Sequence, residues 1–199
     1  MFFNEIKWDR KLKVSTMFPD YTGISKTNFG YDPTPYNVLE ELVRRGWLKE
    51  EDVLLDYGCG KGRVGFFLNN QVGCSIIGLD HNKGRLKSAA ANLENYGDNG
   101  RIRFVESKAE DFNPVEANCF YFFNPFSVRI FQKVLKRIKD SHREKPREIF
   151  IFFYYPTRTY RNYFKSEESL ELLDVLSFKR LFINTQTSRL LVFRLKNSY

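Results

Sequence analysis

Residues 53 to 62, Val-Leu-Leu-Asp-Tyr-Gly-Cys-Gly-Lys-Gly, run from an apolar stretch onto an acid and then place glycine at Gly58, Gly60 and Gly62. The unbroken apolar start is that of a parallel strand buried on both faces. Alternating glycines let the backbone turn tightly and approach a ligand with no Cβ in the way. Val64, Phe67 and Leu68 follow at helical spacing, so the segment reads as a strand, a nucleotide-cofactor loop and a helix. The dinucleotide fingerprint G-x-G-x-x-G puts its third glycine one position later than here. Asp56, just before the first glycine, repels a pyrophosphate and attracts a cation. These electrostatics favour S-adenosylmethionine, whose amino group and sulfonium are positive, over a nicotinamide dinucleotide. Cys59, with no base or second thiol beside it, is a small filler within the loop.

A second acid follows about 20 residues past Gly58. Residues 74 to 79 read as another buried strand, and it ends at Asp80. A carboxylate there accepts both hydroxyls of a ribose, which marks an adenosine ligand without choosing between cofactors. His81, next in the chain, either touches the ribose or adenine edge or is a polar loop residue.

The elements that must hold these groups alternate. Residues 1 to 30 show little periodicity and form an extended arm or a short helix across the domain. Thr34 as a hydroxyl cap, Pro35 in the first turn and Gly46 past the end frame a helix with Val38, Leu39, Leu42 and Val43 as its stripe. Tyr36, at its start, lies either over the cofactor or against the sheet. Leu86, Ala89, Ala90 and Leu93 mark a helix after the second strand, with Gly97 as its stop. A third strand spans 102 to 105 and a fourth 119 to 123, ending at Asn124-Pro125-Phe126. Ser127 caps a helix presenting Phe131, Val134, Leu135 and Ile138. Residues 148 to 155 form a fifth strand, 160 to 173 contain short helical turns, and 175 to 183 with 189 to 195 form a hairpin around 184 to 188. Five β/α units and a terminal antiparallel pair imply an α/β, doubly wound, mostly parallel sheet with ligands at the carboxyl ends of its strands. Gly58, Asp80, Lys108 and Asn124 all fall at such ends.

The 199 residues suit a single domain, 1–199, with an arm (1–30), a leading helix segment (31–47) and a core (48–199). Three cysteines, Cys59, Cys74 and Cys119, make no C-x-x-C pair, which argues against a metal centre or disulfide framework and points to the cytoplasm. No apolar run approaches a membrane span, so no membrane partner is expected. The net charge of +8 allows an anionic or nucleic-acid partner. Lys133, Lys136, Arg137, Lys139, Arg143, Lys145 and Arg147 crowd one stretch, and Arg158, Arg161, Lys165, Lys179 and Arg180 follow. Such a run is either a phosphate track or a solvated helix face. Oligomeric state is not legible.

With these motifs the chain resembles the class I, Rossmann-like, S-adenosylmethionine-dependent methyltransferases, and more closely a group of uncharacterised bacterial ones that share Trp8-Asp9-Arg10, Tyr31-x-Pro33-Thr34-Pro35-Tyr36, D-x-G-C-G-K-G-R and Phe123-Asn124-Pro125-Phe126. The resemblance implies a seven-stranded sheet whose last strand is antiparallel, and S-adenosylmethionine held by Asp56, Gly58, Gly60, Gly62 and Asp80. It places Ser107-Lys108-Ala109-Glu110-Asp111 where the family has G-D-A-E-D, so Lys108, Ala109 and Glu110 fall beside the adenine, with lysine in place of the family's first acid. Asn124-Pro125-Phe126 resembles, with one proline fewer, the [D/N/S]-P-P-[Y/F/W] motif of amine methyltransferases. In that motif the polar side chain and a proline carbonyl accept the amine's protons and the ring stacks on its carrier. The alternative is a turn, with Asn124 capping it and Pro125 starting the next helix. The acceptor implied is a nitrogen, since a neutral amine needs no strong base before attack and His81 is the only histidine near a site. A non-catalytic sensor of the same cofactor and a nicotinamide oxidoreductase stand as alternatives, and no feature names the methyl acceptor.

Overall fold

The computed structural model describes residues 2–22, 29–97, 100–178 and 188–196. Seven strands form one sheet in the order β3-β2-β1-β4-β5-β7-β6: β1 (Val53–Tyr57), β2 (Ser75–Asp80), β3 (Ile102–Glu106), β4 (Cys119–Phe123), β5 (Phe150–Tyr154), β6 (Leu170–Ser177) and β7 (Arg189–Leu195). All neighbours are parallel except β7, which runs antiparallel to both β5 and β6. The doubly wound architecture and the antiparallel close agree with the sequence.

Strand residues alternate between two cores. Leu54, Ile76, Tyr121, Phe152 and Tyr154 face the layer of α1 (Phe2–Leu12), α2 (Tyr36–Arg44) and α3 (Arg63–Val72), against which Leu93 of α4 (Lys83–Tyr96) also packs. Leu55, Ile77, Phe120, Phe122 and Phe153 face α5 (Val128–Glu144) and α6 (Arg158–Ser166). Apolar residues on both faces are what make these strands read as continuous hydrophobic runs. The second core is dominated by rings. Phe131 of α5 is fully buried and meets Phe122, Phe153, Tyr160 and Phe164 edge-on at 5.2 to 5.6 Å between centroids.

Of the two readings for the arm, residues 2 to 12 take the helix, because Trp8 and Leu12 bury on one side while charged residues cover the other. Several other local expectations change. Pro35, not Thr34, is the cap position of α2. The Thr34 hydroxyl instead meets the Tyr121 hydroxyl at 3.3 Å. Ser127 precedes α5 as expected, but its hydroxyl makes no cap bond. Asn82 does cap α4, accepting from the Arg85 N–H at 3.1 Å, and Gly97 ends it with a positive φ of 94°. Residues 107 to 118 cross from β3 to β4 as turns with no helix. Residues 170 to 173 are the start of β6, where pairing with β7 overrides the helical reading. Lys179, Arg180 and the turn at 184 to 187 lie outside the described residues. Among those described, no helix is long and apolar enough to cross a membrane.

Because Phe131 plugs the ring cluster, Phe131→Ala is expected to cost about 3–5 kcal/mol of folding stability. Urea denaturation measures it, and a loss below about 1 kcal/mol would mean that the cluster closes over the gap.

Candidate functional site

The strand order reverses between β1 and β4, so the connections leaving their carboxyl ends diverge to opposite faces and leave a crevice. A cleft of about 960 Å³ opens there. It is large among small-molecule sites and holds a nucleoside cofactor with room beside it. Its walls include Gly58 after β1, Asp80 and His81 at the end of β2, Lys108, Ala109 and Glu110 after β3, and Asn124, Pro125 and Phe126 after β4. Sequence reasoning thus placed nine residues on one cleft.

The glycine loop contributes less surface than its spacing suggests. Gly58 is exposed with φ 79°, and Pro125 packs on it so closely that a Cβ would come within 2.9 Å of the ring. Gly60 and Gly62 are buried behind the wall. A Cβ on Gly60 would strike the Tyr31 ring at 2.0 Å, and one on Gly62 would meet Phe104 and Phe66 at 2.7 Å. Glycine is required at these two positions for packing against protein rings, which periodicity cannot distinguish from packing against a ligand. Cys59 is likewise buried, and burial first, then Asp56 and Asp80, pushes its thiol well up.

Asp56 is off the cleft wall and nearly fully buried, with Oδ2 lacking any hydrogen-bond partner. Burial, with the Asp80 carboxylate adding to it, pushes Asp56 up to about 8. The ligand-free protein therefore holds this group largely protonated at neutral pH, and the attraction of a cation by its charge is not present in that state. Asp80 is equally buried but well supplied. Its Oδ2 accepts the Gly60 N–H at 3.0 Å and its Oδ1 the Asn82 N–H at 2.9 Å, while Arg85 Nη1 lies 3.9 Å away. This one carboxylate fastens the first loop and the start of α4 to the end of β2. Each oxygen keeps a lone pair, so both can still accept ribose hydroxyls. His81 is exposed, with Nδ1 3.6 Å from Asp80 Oδ1.

Tyr36 is not over the cleft. It is fully buried in the first core, its hydroxyl donates to Asp9 Oδ1 at 2.7 Å, and the Arg63 guanidinium stacks 4.3 Å from its ring. Tyr31 takes the cleft position instead, with Pro19, Phe29 and Gly30 beside it. The arm is tied across the cleft by the Phe29 N–H donating to the Pro125 carbonyl at 3.2 Å. That bond takes one of the two lone pairs of the carbonyl expected to receive an acceptor's proton and leaves the other. Phe126 is also corrected: its ring is 4% exposed and lies edge-on to Tyr57 and Phe122, so it has no face to offer. Asn124 remains free. Its backbone is left-handed at φ 41°, and Oδ1 is buried without a partner. Tyr155, at φ 57°, lines the cleft from the end of β5, with Phe123 packed against it at 6.1 Å. Two non-glycine residues in this strained region, at adjacent strand ends, mark where the site departs from relaxed geometry. The strand-end rule that singled out Asn124 applied equally to residue 155.

The basic run along α5 is substantially spent on internal pairs. Lys136 and Arg143 meet Asp140 at 2.8 and 2.9 Å, Lys139 meets Glu167 at 3.0 Å, and Arg147 folds back on the carbonyls of Ala117, Ser141 and Pro114. Among the described residues no group of three or more His, Cys, Asp or Glu side chains is placed to hold a metal.

Residues 54–143 match the family described as "Methyltransferase domain". A protein-lysine N-methyltransferase of Saccharolobus islandicus is 27% identical over 116 residues, covering 57% of this chain and 72% of that protein. Among solved structures, an RNA methyltransferase from Salinibacter ruber in complex with S-adenosyl-L-homocysteine superposes with a TM-score of 0.57 at 15% identity, over 84% of this chain and 96% of that one. Magnesium protoporphyrin IX methyltransferase from Synechocystis with S-adenosylmethionine bound gives 0.58 at 15% identity, over 81% and 77%. The two structural likenesses concern the fold.

Two measurements probe this geometry. Folded Asp56 retains its proton from about pH 4, where the unfolded chain releases it, to about pH 8. The unfolded state binds fewer protons in that window, so this group lowers stability as pH rises through it. Asp56→Asn removes the effect. The variant should match wild type at about pH 3, exceed it increasingly from about pH 4 to about pH 8, and hold a constant advantage above that in ligand-free chemical denaturation; a pH-independent difference would show that the carboxylate is solvated. Asp80→Asn leaves one acceptor oxygen where there were two. It should weaken S-adenosylhomocysteine binding by about 1.5–3 kcal/mol in calorimetry, and unchanged affinity in the folded variant would remove Asp80 from the cofactor's contacts.

Proposed function

Because this chain is a class I, S-adenosylmethionine-dependent methyltransferase, we propose that it methylates a nitrogen acceptor seated against Asn124. The observation that carries this reading is the unpartnered, buried Oδ1 of Asn124 beside Gly58 and Pro125 on the cleft wall. A buried amide oxygen left without a donor costs roughly 1–3 kcal/mol, a cost that an N–H from an acceptor relieves. An acceptor nitrogen holding its proton on Asn124 has its lone pair directed away from that bond, and it needs no base until after attack. This reading calls on none of the cleft's Asp32, Glu106 and Glu110 as a base before attack, and the one histidine of the described cleft wall is exposed.

When bound, S-adenosylmethionine supplies an electrophilic methyl group on a positive sulfur. The chain's own contribution is placement and exclusion of water. In this reading Asp80 takes the ribose hydroxyls, Gly58 permits close approach of the backbone, and Lys108, Ala109 and Glu110 border the adenine. Asn124 holds the acceptor, with Phe123 and Tyr155 supplying the ring surface that Phe126 cannot. The lysine-directed activity named for the Saccharolobus islandicus relative is compatible with a nitrogen acceptor.

Fractions of RNA, protein and small molecules incubated with methyl-labelled cofactor should yield label recovered as an N-methyl compound on hydrolysis. With that acceptor, Asn124→Ala should lower turnover by roughly 10²-fold or more while S-adenosylhomocysteine affinity stays within about threefold. Label recovered on oxygen or carbon, or near wild-type turnover in the variant, would sink the nitrogen assignment.

A further inference from the structure

Arg63 is the first residue of α3, directly after the glycine loop, and its side chain is almost completely buried. Its Nε donates to Thr16 Oγ1 at 2.7 Å, Nη1 donates to the Thr34 carbonyl at 3.2 Å and to the Glu5 carboxylate, and Nη2 lies 3.5 Å from Asp9 Oδ1. The guanidinium also stacks on Tyr36. These partners come from α1, from the segment that follows it and from the lead-in to α2. Asp9 closes the cluster by accepting the Thr16 hydroxyl and N–H at 2.8 and 2.7 Å. Thr16 then hands the arrangement to the cleft, since its carbonyl accepts the Tyr31 hydroxyl at 2.9 Å and the Tyr31 ring rests on Gly60.

Replacing a buried ion cluster by well-packed apolar residues is often neutral or stabilising, so stability alone does not account for it. What a guanidinium with its fork of fixed donors does well is specify one arrangement of several strands of chain at once. The residues it specifies here are those that carry the arm to the cofactor cleft. Lys61 adds a second clasp, donating to the Phe18 carbonyl at 3.0 Å, and Asn92 of α4 joins Ser15 to the Lys61 carbonyl at 2.8 and 3.0 Å.

We propose that Arg63 is a positioning residue for the cofactor site: through Thr16 it seats Tyr31 on the glycine loop, so that docking of the arm and binding of S-adenosylmethionine form one coupled equilibrium. The coupling is reciprocal. A loosened arm lowers cofactor affinity, and bound cofactor holds the arm down by the same factor.

The test uses S-adenosylhomocysteine binding by calorimetry and trypsin cleavage after the exposed Lys13, on folded protein checked by circular dichroism. Arg63→Lys keeps the charge but cannot reach Thr16, Thr34 and both carboxylates together. It should weaken binding about tenfold or more and speed cleavage about fivefold or more, with saturating S-adenosylhomocysteine slowing cleavage again. Tyr31→Ala and Tyr31→Phe remove no buried charge and decide the matter where Arg63→Lys does not fold. The first should weaken binding about tenfold and the second, which keeps the ring, only about threefold. A lowered melting temperature with wild-type affinity in Arg63→Lys or Tyr31→Ala, or no protection of Lys13 by the ligand, overturns the proposal and leaves the cluster a purely structural one.

Discussion

One topological constraint organises the site. At the junction of β1 and β4 the sheet changes winding direction, so two hydrogen-bonded neighbours must send their following segments to opposite faces. The crevice that results needs no cavity-forming mutation and no hinge; it is a by-product of connectivity. What the sequence adds is its furnishing. Gly58 and Pro125 bring the two diverging loops into contact at the floor, and Asp80 reaches from the next strand to fix the first loop by a backbone hydrogen bond.

The fold and the near edge of the site were legible because both follow from short-range chemistry. An apolar run, an acid and alternating glycines identify a strand and its loop wherever they occur, and strand ends in a parallel sheet converge. That logic puts Asp80, Lys108 and Asn124 at strand ends, where the structure lines one cleft with them, and the family resemblance had pointed to the same positions. Tyr31 was not, since its role depends on a ring contact with Gly60 across 29 positions of chain. For the same reason Tyr36, directly after Pro35, stayed open between the cofactor and the sheet: the sequence supplies the tyrosine but not Asp9 and Arg63, which draw it into the core and off the cleft. Phe126 was misjudged at a finer level. Motif similarity reports residue types, whereas a ring enclosed by Tyr57 and Phe122 is a tertiary fact.

Burial reverses the electrostatic argument that first singled out Asp56. A carboxylate in water carries charge, and the same group sealed behind the cleft beside Asp80 keeps its proton. The two acids differ in their hydrogen bonds: Asp80 accepts from two backbone donors, whereas Asp56 Oδ2 has no partner. Asn124 follows the same accounting of donors and acceptors, with an oxygen that the protein itself leaves unmatched.

The arm's attachment across the cleft has a consequence for how the chain is made. Residues 9, 15, 16 and 29 leave the ribosome before their partners Arg63, Asn92 and Pro125 are synthesised. At about 5–20 residues per second, Phe29 waits roughly 5 to 20 seconds for the carbonyl of Pro125 to exist. During that interval the apolar side of α1, with Trp8 and Leu12, has no completed sheet to cover it. Although it comes first in the domain, α1 is therefore among the last of its elements to find a place.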